Sequence, residues 1–186
     1  MKTETEIEIE IRHEKMATRV ALHPFLVGMN RKHVALLTDC AISAHFKKDE
    51  VILKEGEQAN RFYLVEGGKV ILESGKAYGQ PVIIDTIGAG ELLGWSWMFS
   101  PYTWQFTARA TAPTTAIFFY GTILREYCER DHSLGYELLK RMTAVMSRRM
   151  QAARQKLLHL HVGDISLEPV VVQSPFLDQE LDTPIL

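Results

Sequence analysis

Cysteine is nearly missing from this 186-residue chain, which has only Cys40 and Cys128. Two thiols cannot build the dense framework of a small disulfide-stapled fold. Both lie in apolar, helix-like surroundings and read as buried free thiols. Apolar runs long enough to cross a membrane are also missing. The N-terminus, MKTETEIEIEIRHEK, has neither an apolar signal core nor a small-residue cleavage site. A cytoplasmic protein is expected on those grounds. No single sign of charge dominates. The net charge of −2 argues against a general polyanion binder. Locally the balance is uneven. From Gly163 onward there are five acids and no Lys or Arg, so residues 1–162 carry about +3. Between Gly90 and Phe106 there is no basic residue at all.

Enzyme signatures are missing as well. Gly88, Gly90 and Gly94 have the wrong last interval for a GxGxxG turn, and no strand–helix–strand context surrounds them. Gly94-Trp95-Ser96-Trp97-Met98 begins like a nucleophile elbow, but Met98 stands where that turn needs glycine. The seven histidines are scattered, and His159 and His161 are two apart, on different faces of a helix. No catalytic residue, no metal site and no enzyme are expected.

What is present is enough apolar material for one proper core: 46% of residues, with 8 Phe, 6 Tyr and 3 Trp. Glu6 to Ile11 alternate acid and isoleucine, which is strand periodicity. Residues 1–15 read either as an added edge strand or as a charged, solvated arm. Lys15 to Leu22 is weakly helical and stops before Pro24. Asn30 is a plausible N-cap for the helical segment that follows. From Ala44 to Tyr120, short β-rich runs alternate with glycine and proline turns, as in a barrel or jelly roll. Gly67-Gly68 reads there as a two-residue hairpin.

Residues 122–161 read as helical, with Asp131 capping the longer part and Gly163 ending it. Leu139, Met142, Met146, Met150, Ala153, Leu157 and Leu160 form a narrow apolar seam. The seam could pack on the protein's own β structure or on a second copy. Lys140, Arg141, Arg148, Arg149, Arg154 and Lys156 cover the other faces. They read as a solvated face or as a surface for nucleic acid, anionic membrane or an acidic partner. The organisation expected is an arm at 1–15, one domain at 16–162, and an acidic tail at 163–186 that folds back on the rest.

The stretch Ile87–Arg109 concentrates Gly88, Gly90 and Gly94 and all three tryptophans, Trp95, Trp97 and Trp104. Glu91 is expected to be buried there among apolar neighbours. Several glycines in one turn bring backbone N–H groups close to something.

Taken together, Lys54-Glu55-Gly56, Phe62-Tyr63-Leu64-Val65, Gly67-Gly68-Lys69-Val70, the turn Gly88–Gly94 and Ala108-Arg109-Ala110 resemble the signatures of cyclic nucleotide-binding domains of the catabolite activator/Fnr type. The resemblance covers roughly residues 20–160. It implies a mainly β fold, a β-roll of jelly-roll type with N-terminal helices and a long C-terminal helix. It also implies a phosphate-binding cassette for cAMP or cGMP, and a homodimer through Leu139, Met142, Met146, Met150, Ala153 and Leu157. Gly90 matches the cassette glycine, and Glu91 the acid that holds the ribose hydroxyl. Leu92 and Leu93 match the short cassette helix. The family's phosphate-binding arginine falls at Trp104, beside Gln105, or at Thr103 in an alignment shifted by one. Neither indole nor threonine can make the bidentate contact of a guanidinium. That departure puts the nucleotide in question. The 23 residues after the long helix are too few for the helix-turn-helix domain of the family's transcription factors, so DNA binding is not expected. A regulatory module acting on an unidentified protein partner is.

Overall fold

The computed structural model describes residues 4–77 and 80–161. The expected helix stop at Gly163 and the fold-back of the tail lie outside the described residues. Two compact units divide the chain, residues 1–149 and 150–186.

Helix α1, Glu4–Leu22, replaces the strand or arm expected at the N-terminus. The acid–isoleucine alternation finds no sheet to join. Ile9 and Ile11 are exposed, and Glu, Lys, Met and Ala are good helix formers, so the segment closes its hydrogen bonds internally. The helix also crosses the boundary expected at residue 15. Helix α2, Arg31–Asp39, starts at Asn30, whose side-chain oxygen accepts from the Lys32 N–H at 2.9 Å.

Eight strands follow: β1 Ile42–Phe46, β2 Val51–Leu53, β3 Arg61–Gly67, β4 Val70–Ala77, β5 Gln80–Ile87, β6 Leu92–Leu93, β7 Thr107–Ala110 and β8 Thr114–Tyr120. They form two four-stranded sheets, ordered β1-β8-β3-β6 and β2-β7-β4-β5, with every pairing antiparallel. This is the β-roll. The register carries the burial. β3 shows four consecutive buried residues, Phe62 to Val65, because it is central in its sheet. Phe62 stacks on Phe119 at 4.8 Å and on Trp97 at 5.2 Å between ring centroids, at the heart of the core.

Gly67-Gly68 is not a hairpin. β3 and β4 lie in different sheets, and the two glycines carry the chain from one to the other. Gly68 has φ +93°, and a Cβ there would sit 2.4 Å from Thr114 Oγ1 and 2.5 Å from the Pro113 carbonyl oxygen. Glycine is needed both for the left-handed backbone and for the close approach of the β7–β8 turn.

Helix α3, Gly121–Arg130, leads into α4, His132–His161. Asp131 separates them, its carboxylate accepting from the N–H groups of Ser133 and Leu134 at 3.0 and 3.2 Å. Leu134, Leu138, Met142 and Val145 are buried, so this face of α4 packs on the roll. Met142 was expected in the seam and belongs instead to that core face. Leu139, Met150 and Leu157 are exposed at 41%, 69% and 59%. The basic faces are not simply solvated either. Arg141 donates to the Phe25 and Val27 carbonyls at 2.7 and 3.0 Å and pairs with Glu137 at 2.7 Å. Arg19 clamps α1 to β3 through two bonds to Glu66, at 2.8 and 2.6 Å. Cys40 and Cys128 are free and half-buried.

Gly68→Ala is expected to lower stability by roughly 3–5 kcal/mol, combining a strained positive φ with a backbone clash. Urea unfolding of the variant beside the wild type measures it.

Candidate ligand site

The turn from Gly88 to Gly94 connects β5 to β6 and to a one-turn 3₁₀ helix, Trp95–Met98. The short helix is therefore not at Leu92-Leu93. Those two residues are strand, paired with Leu64 and Tyr63 of β3, and both side chains are buried. Pairing with β3 at the edge of its sheet holds them as strand, and Gly94 at φ +87° makes the turn that starts the helix after them.

Within the turn three donors are already taken. The Gly90 N–H donates to the Val65 carbonyl at 2.7 Å, and the Gly88 N–H to the Glu91 carboxylate at 2.7 Å. The Glu91 N–H reaches back to the Gly88 carbonyl at 3.3 Å. Glu91 is exposed rather than buried, because its carboxylate closes the glycine turn from outside. A cradle for phosphate needs these groups pointing outward. Gly90 has φ +85°, and a Cβ there would lie 3.1 Å from Pro24 Cγ, so the segment after α1 covers the turn. His23 adds to that cover. Its Nε2 lies 3.1 Å from the same Val65 carbonyl, and its Nδ1 accepts from the Phe25 N–H at 3.2 Å. Burial pulls the His23 pKa below its ordinary value, with the Val65 carbonyl and Glu66 opposing.

Trp104 packs inward beside the turn. Its backbone is pinned on both sides, its N–H to the Glu57 carbonyl and its carbonyl to the Gly56 N–H, each at 2.9 Å. The indole then points inward and is 3% exposed. It lies on Gly94 so closely that a Cβ there would sit 3.1 Å from Trp104 Cζ3. Thr103 bridges to Gln58, and the exposed Gln105 folds back to donate to the Thr103 carbonyl at 3.1 Å. The loop before them turns through a cis Ser100–Pro101 bond, and Arg125 holds it by covering the Tyr102 ring at 4.5 Å and donating to the Trp97 carbonyl.

About 20 Å³ of free space remains between Leu53, Leu93, Gly94, Trp104, Gln105 and Arg149. That is room for one water molecule. Of the expected site residues, Leu93, Trp104 and Gln105 are brought together here. Gly90, Glu91, Leu92 and Thr103 do not line the space. Arg149 and its partner Asp85 were not foreseen. One signal for Arg149 existed: it continues the spacing of Leu138, Met142 and Val145 on the buried face of α4. Arg109 is structural, held by Glu73 at 3.3 Å and the Asp49 carbonyl at 3.1 Å. Among the described residues, no group of three or more His, Cys, Asp or Glu is placed to hold a metal, and no helix is long and apolar enough to cross a membrane.

A β-roll of two four-stranded sheets backed by a long helix is the fold of cyclic nucleotide-binding-type domains. Residues 43–131 match the family model of the cyclic nucleotide-binding domain. No curated protein is significantly similar to the chain. Among solved structures, one neighbour from Geobacter metallireducens GS-15, assigned to cyclic nucleotide binding, is 25% identical with a TM-score of 0.64. That match covers 72% of this chain and 97% of the neighbour. A cyclic nucleotide-binding domain from Methylobacillus flagellatus KT is 18% identical with a TM-score of 0.67, covering 86% and 87%. The regulatory subunit of a cAMP-independent protein kinase A from Trypanosoma brucei is 18% identical with a TM-score of 0.62, covering 78% of this chain and 52% of that one.

His23 links this site to pH. With its folded pKa depressed, the neutral ring is the form that folding favours. That contribution is present above the unfolded value of about 6.5 and is lost as pH falls below it. The melting temperature is expected to drop between pH about 7.5 and about 5 more steeply in the wild type than in His23→Gln. Thermal melts across that range measure the difference.

Proposed function

We propose that the chain is a non-catalytic regulatory module whose cassette works without a cyclic nucleotide, dimerises through α4 and acts on a protein partner. The observation that carries this reading is the Trp104 indole lying on Gly94, where a phosphate clamp would need a cation and open space. The internal hydrogen bonds of the glycine turn support it, since the N–H groups of Gly88, Gly90 and Glu91 are satisfied without a ligand. A cAMP-independent kinase regulatory subunit stands among the structural neighbours. A triple mutant of that subunit, one of whose changes replaces threonine by arginine, is bound to cAMP in its A site. The same kind of change is the natural test here.

Calorimetric titration with cAMP and cGMP is expected to give no micromolar binding by the wild type. Trp104→Arg removes the indole and supplies the guanidinium, and is expected to bind with a Kd of about 100 µM or tighter. Micromolar binding by the wild type overturns the reading.

The dimer reading rests on residues of α4 at heptad spacing, all exposed except the half-buried Met146. These are Tyr136, Leu139, Thr143, Met146, Met150, Ala153 and Leu157, with Thr143 where Met142 was expected. A repeated apolar stripe on a helix calls for an equivalent partner, and two-fold symmetry is the common solution. Met150→Glu with Leu157→Glu is expected to weaken self-association at least about tenfold in sedimentation equilibrium. Unchanged association, or a monomeric wild type, counts against an α4 interface.

A further inference from the structure

Arg149 enters the space beside the cassette from α4, 57 residues away in sequence from the group it contacts. Its Nη2 donates to the Leu92 carbonyl at 2.5 Å, and its Nε lies 3.7 Å from Asp85 Oδ2. The Nε is buried and has no hydrogen-bond partner, so Asp85 meets it as an ion pair only. The side chain is 17% exposed. Burial pulls the guanidinium below its ordinary pKa, with the Asp85 and Glu91 carboxylates opposing. An arginine stays charged even so, and a desolvated charge persists only where acceptors meet it.

The groups that meet this guanidinium are the Leu92 carbonyl and the Asp85 carboxylate, with Glu91 attracting it and Arg148 repelling it from farther off. A site for a cyclic phosphate has the opposite polarity, with donors and a cation converging on an anion. No basic residue lies between Gly90 and Phe106 to reverse it. Trp104 contributes an aromatic wall to the same space, a surface against which a planar cation is stable.

We propose that the cleft between the cassette and α4 is a receptor for a planar guanidinium-type cation, and that Arg149 is its built-in occupant. This rests on the reading that the cassette takes no cyclic nucleotide. The ligand of the family position is thereby carried on the chain itself, and α4 is fastened to the roll by the contact that a diffusible ligand would otherwise make. Vacated, the cleft accepts a small guanidinium or amidinium ion and rejects anions.

Arg149→Ala creates the vacancy. The variant is expected to melt roughly 5–10 °C below the wild type. Methylguanidinium at about ten times its Kd should then raise the variant's melting temperature by roughly 3–6 °C. Methylammonium at equal ionic strength should not. Neither salt should stabilise the wild type, whose site is filled, and Asp85→Asn in the Arg149→Ala background should abolish the rescue. A folded Arg149→Ala without rescue overturns the inference and leaves the nucleotide-free cassette standing. Micromolar binding of cAMP or cGMP by Arg149→Ala, measured calorimetrically, overturns both, because the arginine would then have been shielding an anion site. Should the alanine variant not fold, Arg149→Lys and Asp85→Asn are combined in a double-mutant cycle. Non-additive losses support the pairing, and strictly additive ones overturn it.

Discussion

The Trp104 indole rests on the Cα of Gly94, and the arrangement of the site follows from that contact. Gly94 must be glycine twice over, for its left-handed backbone and because a Cβ would meet the ring at 3.1 Å. The ring is delivered by a loop whose backbone is bonded to the Gly56–Glu57 turn on both sides of Trp104. With a large apolar side chain held in that position, the 3₁₀ helix that follows Gly94 has an aromatic plane over its first turn instead of an anion. The roll then closes to a space of about 20 Å³. Filling is the stable outcome here, because an empty polar cavity would leave the surrounding contacts unmade.

Closure of the site and docking of α4 are one event in this molecule. The helix face carrying Leu134, Leu138, Met142 and Val145 buries apolar surface against the roll, and Arg149 continues the same face into the polar end of the cleft. Arg141, closer to the start of the helix, ties α4 to the carbonyls of the segment after α1. That segment in turn lies over Gly90 through Pro24, and His23 reaches the carbonyl that also receives the Gly90 N–H. The N-terminal helices, the glycine turn and the long helix are thus joined through a few shared backbone acceptors. Such a network ties these elements to one another.

Fold and site chemistry part company in this chain. The β-roll keeps the glycines and the buried strand residues that build the fold, and Glu91 keeps its place in the turn. The carboxylate now serves the turn itself, bonded to the Gly88 N–H. A residue can persist at a functional position for a structural reason, so function is read from the contacts it makes.

Much of the fold was legible from residue order, because local rules govern it. The β-rich middle, the caps at Asn30 and Asp131 and the helical C-terminal third rest on turn chemistry and periodicity. The lack of a basic residue between Gly90 and Phe106 was legible too, as a fact of composition. Other features depended on partners distant in the chain. Glu–Ile alternation at the N-terminus looked like a strand, and is helix, with its backbone hydrogen bonds closed within the segment. Gly67-Gly68 looked like a hairpin, and became a crossing between sheets because β4 pairs with β5 and β7. Leu92 and Leu93 became strand through pairing with β3, and Met142 turned into the core. Residue order alone determined the cyclic nucleotide-binding type of roll and the lack of a basic residue between Gly90 and Phe106. Long-range packing decided what lies beside the turn, since the indole's burial and the approach of Arg149 to Leu92 arise only when strands and helix meet in space.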